Sequence, residues 1–120
     1  DDVLNYIPAR LSALFMVAAA GLTGLSAKNA WKIFKRDRYN HASPNSAQTE
    51  AAMAGALGVQ LAGDAWYFGT LYKKKTIGDA LRPVECEDIR RANRLMYASA
   101  GLLLIVVMLL YCSFNILTLL

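Results

Sequence analysis

The side chains of this chain that could do chemistry crowd into one stretch, Arg36 to Glu50. It holds Arg36, Arg38 and His41, then Ser43, Asn45, Ser46 and Thr49, and closes on Glu50. Arginine, histidine and small hydroxyl or amide donors are the groups that hold a phosphate or carboxylate through charge-assisted hydrogen bonds. Pro44 pushes Ser43 out of helical geometry, and Asn45 or Ser46 is a good N-cap for the segment that follows. A helix starting there adds free backbone N–H groups to the same anion site. Glu50 could cap that helix, hold a metal or orient a substrate amine. An ordinary first-turn acid reads the same way, and His41 alone reads equally as a loop histidine with a structural hydrogen bond. No Gly-rich phosphate loop, zinc spacing or nucleophile motif occurs.

The elements that must position this stretch are apolar. Of 13 Lys and Arg residues, all but Arg10 fall between Lys28 and Arg94, and of nine acids only Asp1 and Asp2 lie outside that interval. Leu11–Ala27 and Tyr97–Leu120 carry no charge. The second exceeds the ~20 residues that a membrane helix needs, and the first sits at the short edge of the range. The pattern predicts an all-α, polytopic integral membrane fragment. It would have a membrane helix over 11–27, a cytoplasmic helical and loop insertion over 28–94, and a transmembrane helix over 97–120. Neither apolar block reads as a signal peptide, and a chain opening Asp-Asp-Val reads as a piece of a longer one.

Smaller signals fill in the chain. Pro8 fits the first turn of the first helix. Ala20 and Gly24 place small residues on one face, which expects more helix neighbours than this chain supplies. Trp31, Lys32 and Phe34 read as an interfacial helix end. Ala47, Ala51, Gly55, Gly58 and Ala62 form a face with nothing larger than a methyl, on a helix running to Leu61 or Gly63. Gly63–Thr76 reads as loop with short strand or irregular structure, Thr76–Asp79 as a turn, and one continuous helix runs from Val84 into the membrane. Arg90, Arg91 and Arg94 read as topological anchors. Cys86 and Cys112 are unpaired thiols. The net charge of +4 belongs to cations at helix ends, which argues against nucleic acid as a partner.

Three runs carry a family resemblance: Asp-Asp-Val-Leu-Asn-Tyr-Ile-Pro-Ala-Arg (1–10), Asp-Arg-Tyr-Asn-His-Ala-Ser-Pro-Asn-Ser (37–46) and Glu-Ala-Ala-Met-Ala-Gly-Ala-Leu-Gly-Val (50–59). They resemble the adenosylcobinamide-phosphate synthase family, the CbiB/CobD membrane proteins of cobalamin biosynthesis, and Tyr67–Gly69 and Thr76–Asp79 fit as well. The resemblance implies the C-terminal part of a multi-pass enzyme of the bacterial inner membrane. It implies an ATP- and Mg²⁺-dependent ligase that joins aminopropanol phosphate, or ethanolamine phosphate, to a carboxyl of adenosylcobyric acid as an amide. On that basis Arg36, Arg38, His41, Ser43, Asn45 and Ser46 are expected at phosphate or nucleotide. Glu50 is expected as catalytic group and metal or amine partner, His41 as a second catalytic group, and Arg10 and Asn5 as site wall. The remaining N-terminal part of the enzyme and the lipid bilayer are the expected partners. A non-catalytic membrane assembly or transport subunit is the rival reading.

Overall fold

A computed structural model describes residues 1–120. Four helices, α1 (Asp2–Leu22), α2 (Ala27–Asp37), α3 (Ser46–Leu57) and α4 (Glu87–Leu119), enclose four short strands between α3 and α4. The chain is therefore mainly helical, and the expectation of an all-α fold gives way over residues 61–77. There β1 (Leu61–Ala62) pairs antiparallel with β4 (Thr76–Ile77), and β2 (Ala65–Tyr67) with β3 (Thr70–Tyr72). Phe68 and Gly69, both at positive φ (50° and 79°), close the β2–β3 hairpin, the backbone that a tight two-residue hairpin turn demands. Thr76 and Ile77 are strand rather than turn, and the reversal falls on Gly78 at φ 84°.

The first apolar block is not one helix. Gly24 adopts φ 76°, the Thr23 N–H reaches back to Ala19 and Ala20, and the Leu25 N–H bonds the Ala20 carbonyl. That left-handed C-terminal cap ends α1 at Leu22. Ser26 then caps α2 by accepting the Asn29 N–H at 3.1 Å. Gly24 consequently lies outside the helix it was expected to line. At its other end α1 starts at Asp2, so Pro8 sits inside the helix rather than in its first turn. Its ring removes the bond to the carbonyl of Leu4, a residue that is itself exposed. The 21-residue α1 and the 33-residue α4 are each long and apolar enough to cross a membrane.

α3 is wrapped on two sides, which accounts for its bland sequence. Ala52 and Ala56 meet Ala13, Met16, Ala19 and Ala20 of α1 together with Ala30, Phe34 and Leu95. Ala47, Ala51 and Ala54 meet Ile33 and Ile77. Gly55 is where α2 comes closest: a Cβ there would stand 2.6 Å from the Asn29 carbonyl oxygen and 2.7 Å from the Ala30 Cα. In its place the Asn29 amide donates to the Gly55 carbonyl at 2.7 Å. Ala13, Ala19 and Ala20 of α1 and Ala47, Ala51, Ala52, Ala54 and Ala56 of α3 are thus buried against one another and against α2 within this chain. Gly58, at φ 71°, ends α3 before Leu61.

α4 is continuous, as expected, but begins at Glu87. The buried Asp88 carboxylate accepts the Glu85 N–H at 2.9 Å and ion-pairs with Arg82 and Arg91. Arg91 therefore clamps the start of α4 as well as marking a boundary. Past Ser99 no residue of α4 is buried.

Candidate functional site

The start of α3 is tied to the start of α1 by Asn45. Asn45 occupies the N-cap position without using its side chain to cap. Its Oδ1 accepts from Arg10 at 3.2 Å and its Nδ2 donates to the Asp2 carbonyl at 2.9 Å. The loop leading in is self-braced. The Ser43 N–H bonds His41 Nδ1 at 2.9 Å, and Ser43 Oγ accepts the Asn45 N–H at 3.3 Å. Beneath it, fully buried Gln48 donates to the carbonyls of Arg38 (3.2 Å) and Pro44 (3.1 Å), while its Oε1 has no partner. The Asn45-x-x-Gln48 spacing, which resembles a capping box, thus serves the loop instead of the helix end. Ser46 opens α3 half-buried, and Asn5 stands on the exposed side of α1, with no side-chain bond to the rest of the site.

Two arginines meet around Tyr39. Arg10 lies 3.4 Å from the centroid of the Tyr6 ring and donates to the Tyr6 carbonyl at 2.9 Å. Arg38 lies 4.7 Å from the Tyr39 centroid and 5.4 Å from that of Phe34. Neither is paired with a carboxylate; their neighbours are ring faces and carbonyls. Hydrogen bonding from Arg10 to the Tyr39 hydroxyl holds that phenol below its usual range. Anion-binding capacity is left unspent here.

Arg36 is placed elsewhere. Its guanidinium bonds both oxygens of Asp37 at 2.8 Å and both of Asp79 at 3.1 and 2.9 Å. Asp37 is buried, accepts the Gly78 N–H at 2.7 Å, and is held below the usual carboxylate range chiefly by Arg36 and further by that N–H. Both forks of Arg36 are occupied by carboxylates, a clamp that joins α2 to the turn after β4 and sets this residue apart from Arg10 and Arg38.

Glu50 is half-buried, makes no hydrogen bond or ion pair with the rest of the chain, and opens on two cavities. One is an apolar groove of about 520 Å³ between α1, α3 and α4, walled by Phe15, Met16, Met53, Met96 and Leu103. The other, about 440 Å³, is shared with His41, Asp64 and Lys74. No group of three or more His, Cys, Asp and Glu side chains is arranged to hold a metal unaided. Glu50 and Asp64 are the two carboxylates of the second cavity, the ligand type through which Mg²⁺ is commonly held together with substrate phosphates.

The lysines of Lys73–Lys75 were legible only as a cation run, yet the fold brings them to His41. They share a further cavity of about 370 Å³ with Tyr39 and Asn40. The separation in sequence hides this, because only the β1–β4 pairing returns residues 73–75 to the loop before α3.

The family model described as CobD/Cbib protein matches residues 1–96. The cobalamin biosynthesis protein CobD of Clostridium perfringens is 47% identical over 116 residues, covering 97% of this chain and 37% of that protein. The cobalamin biosynthesis protein CbiB of Salmonella typhimurium is 50% identical over 115 residues, covering 96% and 36%. CobD of Geobacter metallireducens is 53% identical over 105 residues, covering 88% and 33%. The chain thus spans about a third of the length of these curated relatives, and no solved structure matches it.

Proposed function

The chain belongs to the CobD/CbiB family, and from that premise we propose that it is part of an adenosylcobinamide-phosphate synthase acting in cobalamin biosynthesis. The reaction is ATP-dependent amide formation between a carboxyl of adenosylcobyric acid and the amine of aminopropanol phosphate, or ethanolamine phosphate. The observation that carries this reading is the position of Glu50: an unpaired carboxylate between an apolar groove and a polar cavity that it shares with His41, Asp64 and Lys74.

In this reading Arg10 and Arg38 receive the nucleotide phosphates, helped by the Asn45 amide, the Ser43 and Ser46 hydroxyls and the start of α3. The carboxyl is activated as an acyl phosphate, with ADP leaving. Glu50 holds the incoming ammonium and takes the proton it must lose before its nitrogen attacks the carbonyl carbon. The carbon–nitrogen bond then forms as inorganic phosphate departs. His41 donates from Nε2 to the phosphate oxygens. Mg²⁺ would be held by Asp64 together with the phosphates and would supply charge neutralisation on the phosphoryl oxygens, leaving Glu50 to the amine. The apolar groove receives the hydrophobic surface of the larger substrate.

The groove's α4 wall, Met96 to Leu103, falls where the charge-free run of that helix begins. This supports a site at the water–lipid boundary of the bacterial cytoplasmic membrane, with α1 and α4 in the bilayer and residues 28–94 on the cytoplasmic side. In the full-length enzyme, Glu50→Gln is expected to lower amide formation about 100-fold, within the range for loss of a general base, with the melting temperature unchanged. Wild-type turnover in that variant would remove the proposal. The rival reading, a non-catalytic subunit, requires that the intact protein bind neither ATP–Mg²⁺ nor the amino alcohol phosphate.

A further inference from the structure

We propose that the cavity between Asn40–His41 and Lys73–Lys75 is a second anion site, separate from the Arg10–Arg38 corner, and that it takes a phosphate monoester. The cavity is concave, about 370 Å³, and no carboxylate lines it. Lys73 and Lys75 are exposed and bound to no acid. Lys74 is already engaged, its ammonium bonding the Tyr67 hydroxyl at 3.0 Å and its N–H the Asp64 carboxylate at 2.9 Å. Two free ammonium groups match the charge of about −2 that a phosphate monoester carries near neutral pH.

His41 completes the set of donors. Its Nδ1 accepts the Ser43 N–H, which leaves the ring proton on Nε2. The neutral imidazole is thereby held as a donor. The two walls are tied together as well, because the Asn40 amide donates to the Thr76 carbonyl at 3.1 Å, next to Lys75. On the floor, Ala62 adopts a left-handed φ of 61° with a side chain that leaves the space open. Two chemically different phosphates are needed by the proposed synthase, a nucleotide and an amino alcohol phosphate. Resting on that reading, the lysine pocket is the seat of the latter: it shares His41, Ala62 and Lys74 with the cavity onto which Glu50 opens, so the phosphate end and the amine end of the molecule face adjoining cavities.

The test is lysine acetylation footprinting, read by mass spectrometry, on the full-length protein in zwitterionic detergent with inorganic phosphate as the probe. Phosphate is expected to slow modification of Lys73 and Lys75 at least fivefold and to leave Lys28, Lys32 and Lys35 on α2 unaffected. Absence of protection would overturn the site. So would protection by anionic phosphatidylglycerol without protection by phosphate, which would make the pocket a lipid headgroup contact. Kinetics supply the second arm: Lys73→Ala with Lys75→Ala is expected to raise KM for the amino alcohol phosphate at least tenfold while KM for ATP holds. An unchanged KM for the amino alcohol phosphate would overturn the assigned ligand. Protection in a protein that forms no amide would leave the anion site standing and remove the synthase reading alone.

Discussion

Arg36 and Arg10 are the two arginines most easily mistaken for each other, and the structure treats them in opposite ways. Arg36 has its planar fork filled by two carboxylates, one of them buried and also holding a backbone N–H. Arg10 rests on an aromatic ring and a carbonyl, with an Asn side chain beside it and no acid in reach. A guanidinium already neutralised on both edges has little left for a ligand. One held only by rings and neutral oxygens keeps its full charge and the donors that geometry leaves free. Cation content alone therefore says little about where an anion binds; the count of nearby carboxylates decides.

The contrast can be broken most severely at Asp37. Asp37→Ala should cost about 2–3 kcal/mol of stability, because it strips the Gly78 N–H and one edge of Arg36 of their partner. Thermal unfolding in detergent checks this, and a loss below about 0.5 kcal/mol would mean that the clamp is ornamental. Arg10→Ala should do the reverse. We expect KM for ATP to rise about 10- to 100-fold, the size of one or two lost bonds to a charged group, with little change in melting temperature. Loss of folding with unaltered nucleotide affinity would instead make Arg10 a structural residue.

Acid provides a gentler probe. The Asp37 pKa is lowered by folding, so the unfolded chain binds more protons in acid, and stability is lost as pH falls below about 4, the ordinary aspartate value. Urea titrations between pH 3 and 7 should show that fall in the wild type and a shallower one in Asp37→Asn. The smallest effect is expected from Arg36→Lys, under about 1 kcal/mol of stability, since this half-exposed side chain loses its bidentate geometry but keeps its charge beside Asp37. KM for ATP should not move; a tenfold rise would return Arg36 to the binding site.

Much of the frame could be read in advance. The charge-free runs marked α1 and α4, Pro44 and Asn45 marked the start of α3, and its Ala and Gly residues marked a helix packed at close range. Gly24 was the main local misreading. A glycine four residues after an alanine looks the same whether it lines a helix face or ends the helix in a left-handed cap, and the choice depends on whether α2 can fold back beside it. The strands were faint for a similar reason. Two- and three-residue elements carry too little alternation to register, and their pairing is created by Ala62, Phe68, Gly69 and Gly78 at positive φ.

Local composition was enough to establish which segments are greasy, which are charged and where a helix begins, because those properties need only near neighbours in sequence. Partnership required the assembled chain. Arg36 finds Asp79, Asn45 finds Asp2, and His41 finds Lys73–Lys75 only after three helices and two ribbons have turned back on one another. The close backbone approaches at Gly55, against α2, and at Gly78, against Val59, are steric conditions of that packing that the separate stretches do not carry. The stretch from Arg36 to Glu50 is where the sequence concentrates the polar side chains of the proposed site. Which of its charges are paired with a carboxylate of the chain and which are not was decided by tertiary packing.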